Sequence, residues 1–569
     1  MSNSEKNTSN IQTCSSVFAR DEKKNVSNTF STITNKATSL TKSIFSIFKL
    51  CSPFKTDASL GRPKVLILGT GWGFMKLAKG LDVNSNDIKV ISPNKYFCFT
   101  PLLTQIVSNR LPREVCEIPI NELTYRGNKE VIKYIQGLAL DIDKENKEVI
   151  YFDSEKKKQE RIPYDYLIIN VGNEDSSIVP GIKEYALYLR NVEDSIKMRD
   201  AVVNCFKEVN ANWDKMSDDE KRKKLTFIVA GGGPTGVEVS GAFAELTKNF
   251  LSKNEYKKLA PFINIKIIEM ANKLLPTAGD KVSGYTKYVL SSLAGIEILL
   301  ETKLKSVSKD YVVIQKEGGD EELIPYGVFV WASGASPNSL TKQICDKVEE
   351  QSFFKKAIVV DERLQVHGIP NAYALGDCAL VRPRKLAERS KEIYQNALKS
   401  SFGPTVKYLR DNFSIKAFPQ MFNLSKVADL PKNEEILTEE DFKNLLEKLD
   451  SMYHSPPPTA QGASQQGEYL VKLFNDYPSD KEKQDCPAFI YYWNGSTCYI
   501  YDDNIAIYTP FGSMLGGIHT KYIWRLAYTT LNPSSRSRSL LSKNWFNPFG
   551  MFAGGYKNDE IYKMNNISH

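Results

Sequence analysis

Leu225-Thr-Phe-Ile-Val-Ala-Gly-Gly-Gly-Pro-Thr-Gly236 is the stretch on which the reading of this chain turns. Its first six residues are aliphatic, aromatic or β-branched and predict a buried parallel strand. The full glycine set at 231, 233 and 236 follows at once, and a helical pattern runs on from about 237 to 251. Asn264-Ile-Lys-Ile-Ile-Glu269 then predicts a second strand ending in a carboxylate. Strand, glycine loop, helix and acidic strand end together form a dinucleotide-binding fingerprint. The Lys-rich text from Lys248 to Lys258 accounts for its length. A carboxylate at Glu269 accepts hydrogen bonds from both adenosine ribose hydroxyls and repels a 2′-phosphate, so NADH is favoured over NADPH. Gly231, Gly233, Pro234, Thr235, Gly236 and Glu269 are therefore the candidate NADH contacts.

About 160 residues upstream the pattern recurs. Lys64-Val-Leu-Ile-Leu68 predicts a strand, Gly69-Thr-Gly-Trp-Gly-Phe74 a loop, Met75 onward a helix, and Ile88-Lys-Val-Ile-Ser92 a second strand. Gly69 permits the tight turn, Gly71 lets the backbone approach a pyrophosphate, and the helix N-terminus supplies free amides. This copy departs from the standard. Phe74 stands at the third glycine position, with Gly73 beside it, and no carboxylate ends the second strand; Ser92 is the nearest polar group. Two further segments look like one element used twice: Ile162-Pro-Tyr-Asp-Tyr-Leu-Ile-Ile-Asn-Val-Gly172 and Ile324-Pro-Tyr-Gly-Val-Phe-Val-Trp-Ala-Ser-Gly334. In each a β-rich run ends in glycine where backbone must pass close to a cofactor. Gly376-Asp377 adds an aspartate able to hold a flavin ribityl chain. The fold class is α/β, with two Rossmann-like dinucleotide-binding domains.

Composition agrees. The chain has 569 residues, 41% hydrophobic and 25% charged, which predicts two or three globular domains. Nine cysteines are scattered with no Cys-x-x-Cys pair, which argues against zinc ribbons, ferredoxin clusters and dithiol redox pairs. Only four histidines occur, and no metal site is expected. The net charge of +8 is dispersed, so no nucleic-acid groove is read from it. No run of about eighteen apolar residues, the length a helix needs to span a bilayer, appears. Residues 1–60 are polar, with apolar positions Ile44, Phe45, Ile47, Phe48 and Leu50 among basic ones, compatible with a mitochondrial presequence or a disordered tail. The stretch 379–455 is an insertion whose acidic text, Leu430 to Phe442, lacks the calcium-loop ligand order and predicts an acidic helix.

Gly69-Thr-Gly-Trp-Gly, Ser92-Pro-Asn-Lys-Tyr-Phe-Cys-Phe-Thr-Pro-Leu-Leu103, Gly231-Gly-Gly-Pro-Thr-Gly-Val-Glu238, Gly376-Asp377 and Pro456-Pro-Pro-Thr-Ala-Gln-Gly-Ala-Ser-Gln-Gln-Gly-Glu-Tyr-Leu470 resemble, in order, the type II (alternative, single-subunit) NADH:quinone oxidoreductases. The resemblance spans roughly residues 62 to 550. It implies a flavin disulfide-reductase-like fold in which 61–200 and 346–500 bind non-covalent FAD and 201–345 bind NADH. Region 501–569 would attach the protein to a membrane and form a homodimer. On FAD it sets Gly69, Gly71, Trp72 and Gly73 at the pyrophosphate. Ser92, Gly172 and Gly376 lie along the cofactor, and Thr100 and Pro101 beside the isoalloxazine. Asp377 lies on the ribityl chain, with Ala460 and Gln461 at the pyrimidine edge. Gly334 and Glu238 fall near the nicotinamide, with Glu238 as the catalytic candidate that orients the ring or balances protons. Gln461, Ser464 and Gln465 fall in the quinone pocket, Gln461 and Gln465 sharing one helix face. The implied activity is hydride transfer from NADH to FAD and two-electron transfer to ubiquinone, without proton pumping, on the mitochondrial inner membrane. From Ile505 onward, aromatic, aliphatic and basic residues interleave as in interfacial amphipathic helices. The alternatives are a soluble NADH-dependent reductase of a protein electron carrier and a flavoprotein turned to signalling. A disulfide reductase would need two cysteines about four residues apart, and no such pair follows the first loop.

Overall fold

The computed structural model describes residues 61–174 and 177–546. The basic apolar segment at 37–50 and the text from 547 to 569 lie outside the described residues. Strand β1 (Lys64–Leu68) leads through Gly69 into helix α1 (Trp72–Gly80) and returns as β2 (Asp87–Ser92). The helix begins three residues earlier than its apolar pattern suggests, because extended Gly71 serves as its N-cap with no side-chain cap. A short helix, α2 (Leu103–Val107), precedes the long β3 (Lys133–Asp143), β4 (Glu148–Asp153), β5 (Lys158–Pro163) and β6 (Tyr166–Ile169). In the seven-stranded sheet the order is Ala372–Ala374, β6, β1, β2, β3, β4, β5. The first five run parallel, and β4 and β5 add an antiparallel edge. β1 lies between β2 and β6, so its C-terminal end, where Gly69 turns, opens at the strand crossover where α/β sheets bind ligands.

Helix α3 (Val192–Ala211) crosses to the second unit, where Met198, Val202 and Phe206 pack. That unit is β7 (Thr226–Ala230), α4 (Pro234–Leu251), β8 (Asn264–Ile268), β9 (Glu297–Leu299) and β10 (Val328–Trp331), a parallel sheet in the order β9-β8-β7-β10. Every residue of β7 is buried, as its unbroken apolar text requires. α4 starts at Pro234, whose fixed φ and missing N–H suit a first helical turn.

The insertion builds its own small core from Leu386, Ile393, Leu409, Phe442 and Leu446. Its acidic helix, α5 (Glu439–Ser451), starts later than the text from Leu430 suggests. Thr438 accepts from the Asp441 N–H and fixes the start, which sets Glu439, Glu440 and Asp441 in the first turn against the helix dipole.

Helix α6 (Ala460–Asp476) lies against α1, and Gly467 allows the approach: a Cβ there would come within 2.7 Å of the Gly73 carbonyl oxygen. The hairpin β11 (Ser496–Tyr501) and β12 (Asn504–Thr509) lies on α4, with Cys498, Ile500 and Ala506 in the second core. Helices α7 (Gly517–Leu531) and α8 (Ser535–Trp545) close the described chain, and Trp524, Leu541 and Trp545 join the first core. No helix among the described residues is long and apolar enough to cross a membrane.

Candidate active site

A cavity of 740 Å³ opens between the two glycine loops. Gly69, Gly71, Trp72, Ser92, Thr100, Gly172, Gly376, Asp377 and Ala460 line it from the first unit, and Thr235 and Gly334 from the second. These eleven are sequence candidates that the fold brings together. Gly69 adopts φ +96°, and a Cβ there would meet the Asn170 carbonyl oxygen at 2.3 Å, so only glycine fits. The uncapped α1 N-terminus faces the cavity through Gly71 and Trp72. The Trp72 indole donates to Thr100 Oγ1 at 3.2 Å, tying the loop to the segment after β2.

Several candidates are used otherwise than expected. Gly73 does not line the cavity, and a Cβ on it would strike Leu375 and the Asn170 side chain. It is the close-packing glycine of α1, a task a third fingerprint glycine normally has, and this leaves Phe74 wholly in the core. Ser92 shares a 2.9 Å hydrogen bond with Thr70 Oγ1 and so braces the loop. Pro101 does not line the cavity. Gln461, Ser464 and Gln465 do not line it either. The Gln461 amide accepts from the Tyr491 hydroxyl and the Asn494 N–H, and the Gln465 amide both accepts from the Tyr492 N–H and donates to its carbonyl. Their shared face holds the 491–495 segment, because that segment crosses α6 with its backbone groups unpaired by any strand.

Sequence reasoning missed two residues. Gln466, one position on, turns inward and accepts from the Gly376 N–H at 2.7 Å, fixing the backbone beside Asp377. Asn170 sits at the end of β6 among Gly69, Gly71 and Gly376, and its buried amide nitrogen has no partner among the described residues. The signal for Asn170 was its place in the Ile162–Gly172 run, a polar residue closing the strand where the matching run has Ala332. Asp377 is largely enclosed, and burial pushes its carboxyl up while Arg190 pulls it back.

In the second loop, Gly231 adopts φ +120°, and a Cβ at Gly236 would lie 1.8 Å from the Gly231 carbonyl oxygen. Gly233 is the uncapped N-cap of α4 and has open space around it; Pro234 and Thr235 are exposed. Glu269, just past β8, accepts from the Gly232 N–H at 2.5 Å and the Ala271 N–H at 2.7 Å. Its carboxylate is thereby fixed at the loop. Glu238, on the second turn of α4, does not line the cavity. Burial pushes its carboxyl up to about 8, against hydrogen bonds from Thr104 and Cys498 that pull it down. At neutral pH the carboxyl therefore favours its protonated form.

A family model for pyridine nucleotide-disulphide oxidoreductases matches residues 63–401. The external alternative NAD(P)H-ubiquinone oxidoreductase B2 of Arabidopsis thaliana mitochondria is 28% identical over 526 residues, covering 86% of this chain and 89% of the relative. The external alternative NADH-ubiquinone oxidoreductase of Yarrowia lipolytica mitochondria is 29% identical over 504 residues, covering 86% and 79%. A solved structure of NDH2 from Plasmodium falciparum in complex with NADH superposes with a TM-score of 0.78 at 32% identity, covering 85% of this chain and 99% of that one. The chain belongs to the pyridine nucleotide-disulphide oxidoreductase family, in its type II NADH:quinone oxidoreductase branch.

Proposed function

We infer that this chain passes a hydride from NADH to a bound FAD and two electrons on to ubiquinone, without moving protons across the membrane. The carrying observation is one cavity lined by Gly69, Gly71 and Trp72 of the first loop and, from the second unit, by Thr235 and Gly334, while Gly231, Gly233, Pro234, Gly236 and Glu269 stand behind that lining. Cys98 is the one cysteine among its described lining residues, so it offers no dithiol for disulfide chemistry. The residues present fit FAD. An uncapped helix end meets phosphate, the glycine turn excludes a side chain, and the Asn170 amide has a hydrogen bond to give. Bound FAD supplies the redox chemistry.

The chain's own residues bind, orient and hold protons. Gly69, Gly71 and Trp72 take the FAD pyrophosphate, Asp377 the ribityl chain, and Thr100 and Ala460 flank the ring. Gly231, Gly233, Gly236 and Glu269 take NADH. Glu238, held between Thr104 and the Tyr499 N–H behind the cavity, stores a proton. Residues 61–200 with 346–500 form the FAD unit, 201–345 the NADH unit, 379–455 an insertion, and 501–569 the attachment region. The deciding assay uses the purified holoprotein. NADH oxidation should run far faster with a short-chain ubiquinone than with oxygen or a disulfide, and equal quinone and oxygen rates would sink the reading. Glu269→Ala should narrow the NADH-over-NADPH preference by roughly tenfold; an unchanged ratio of kcat/KM values removes Glu269 from the site.

Attachment to the mitochondrial inner membrane falls to α7; the relatives' names give the mitochondrion as their compartment. Its inner face, Thr520 and Trp524, is buried, while Ile518, Leu526 and Leu531 are 64%, 58% and 57% exposed. Lys521 and Arg525 do not reach for headgroups: both pair with Asp503, at 2.6 and 3.3 Å. Because β12 and α7 help build the cores, point variants are the fair test. Ile518→Glu with Leu526→Glu should abolish liposome flotation while activity with a water-soluble quinone persists; continued flotation moves the anchor elsewhere. The same region is the proposed homodimer contact, checked by sedimentation.

A further inference from the structure

Glu238 belongs to α4, yet its hydrogen-bond donors come from elsewhere. Thr104, on α2 of the first unit, donates to Oε2 at 3.3 Å. The Tyr499 N–H on β11 donates to Oε1 at 3.1 Å, and the neighbouring buried Cys498 thiol is turned to the carboxylate, close enough to influence its protonation. The hairpin reaches so close because Gly241 has no side chain: a Cβ there would stand 1.6 Å from the Ile500 carbonyl oxygen. The other titratable groups facing Glu238 are the phenols of Tyr508 and Tyr528. Among the described residues no cation is one of the groups acting on it. Two turns along, Glu245 is engaged separately by Arg110 at 3.0 Å and by the Tyr499 hydroxyl at 2.8 Å. Cys498 is fully buried, and burial with the adjacent carboxylate pushes its thiol well up, so it stays a neutral S–H donor and not a nucleophile.

We propose that Cys498 and Thr104 are positioning residues which together determine how readily Glu238 gives up its proton, so that the protonation step depends on the C-terminal hairpin being seated on α4. The inference rests on the reading of Glu238 as the proton-exchanging group. A donor to a carboxylate favours the ionised form, and its loss makes the acid hold its proton to higher pH.

The test is the pH profile of NADH:quinone turnover in the holoenzyme. Cys498→Ala should move the limb belonging to Glu238 to higher pH by about half to one unit, and Cys498→Ser, which keeps a donor, should restore it. Thr104→Val should shift it the same way, with Thr104→Ser as its rescue, which covers the case in which one variant fails to fold. On a Glu238→Gln background Cys498→Ala should cause no shift. If Cys498→Ala and Thr104→Val lower the rate equally at every pH and leave the limb in place, both residues are merely structural and the proposal falls. If Glu238→Gln keeps the wild-type limb, the reading of Glu238 falls and takes this proposal with it.

Discussion

Glu238→Gln is expected to lower NADH-to-quinone turnover at least tenfold, because the amide keeps the shape of the side chain but carries no exchangeable acid proton. Stability should move the other way. The carboxyl rises from 4.5 to about 8 on folding. A group raised in this sense contributes stability that is complete below its unfolded value and is lost as pH climbs through its folded one. The wild type therefore gives up stability between about pH 4.5 and 8, where the unfolded chain ionises and the folded chain does not. The upper bound on this loss is roughly 5 kcal/mol. The variant lacks this dependence, so its unfolding midpoint relative to wild type should climb across that window. Denaturation of both proteins at pH 5 and pH 8 checks it; parallel midpoints would mean the carboxyl is not raised.

Gly241→Val should be the most damaging single change outside the glycine loops. The added Cβ cannot coexist with a carbonyl oxygen 1.6 Å away, and the obstacle is backbone, not a side chain that can turn aside. The hairpin must lift from α4, at a cost of about 3 kcal/mol or more. Lifting also removes the Tyr499 N–H from Glu238 and from Glu245 both the Tyr499 hydroxyl and the Asp502 N–H. The expected result is a folded FAD unit with weakened C-terminal protection. Hydrogen exchange should rise in 496–509 while flavin stays bound. A variant with wild-type exchange in that hairpin would show that α4 and β11 separate without penalty.

The two glycine loops were legible because each depends on neighbours in sequence. A buried parallel strand is written as an unbroken apolar run, a left-handed turn as glycine, and a helix start as the text that follows. That is why Lys64–Leu68 and the loops at 69–71 and 231–236 fall where the text puts them. Local text could not tell which way a helix faces. Gln461 and Gln465 do share a face of α6, but periodicity gives relative and not absolute orientation. The fold turned that face to the 491–495 segment and gave the inward position to Gln466. The Gly73 task was hidden for a related reason, since the partners that crowd it, Leu375 and Gly467, lie some 300 and 400 residues away.

The sequence alone determined the class of fold, the two dinucleotide loops, the acidic end of the second unit and the family. These follow from backbone conformations that neighbouring residues impose. Tertiary structure decided the proton affinity of Glu238, the seating of the hairpin at Gly241 and the inward pairing of the tail's cations with Asp503. Each of these is set by burial and by donors brought from distant parts of the chain. Desolvation and hydrogen bonding belong to the assembled interior, which no stretch of neighbouring residues encodes.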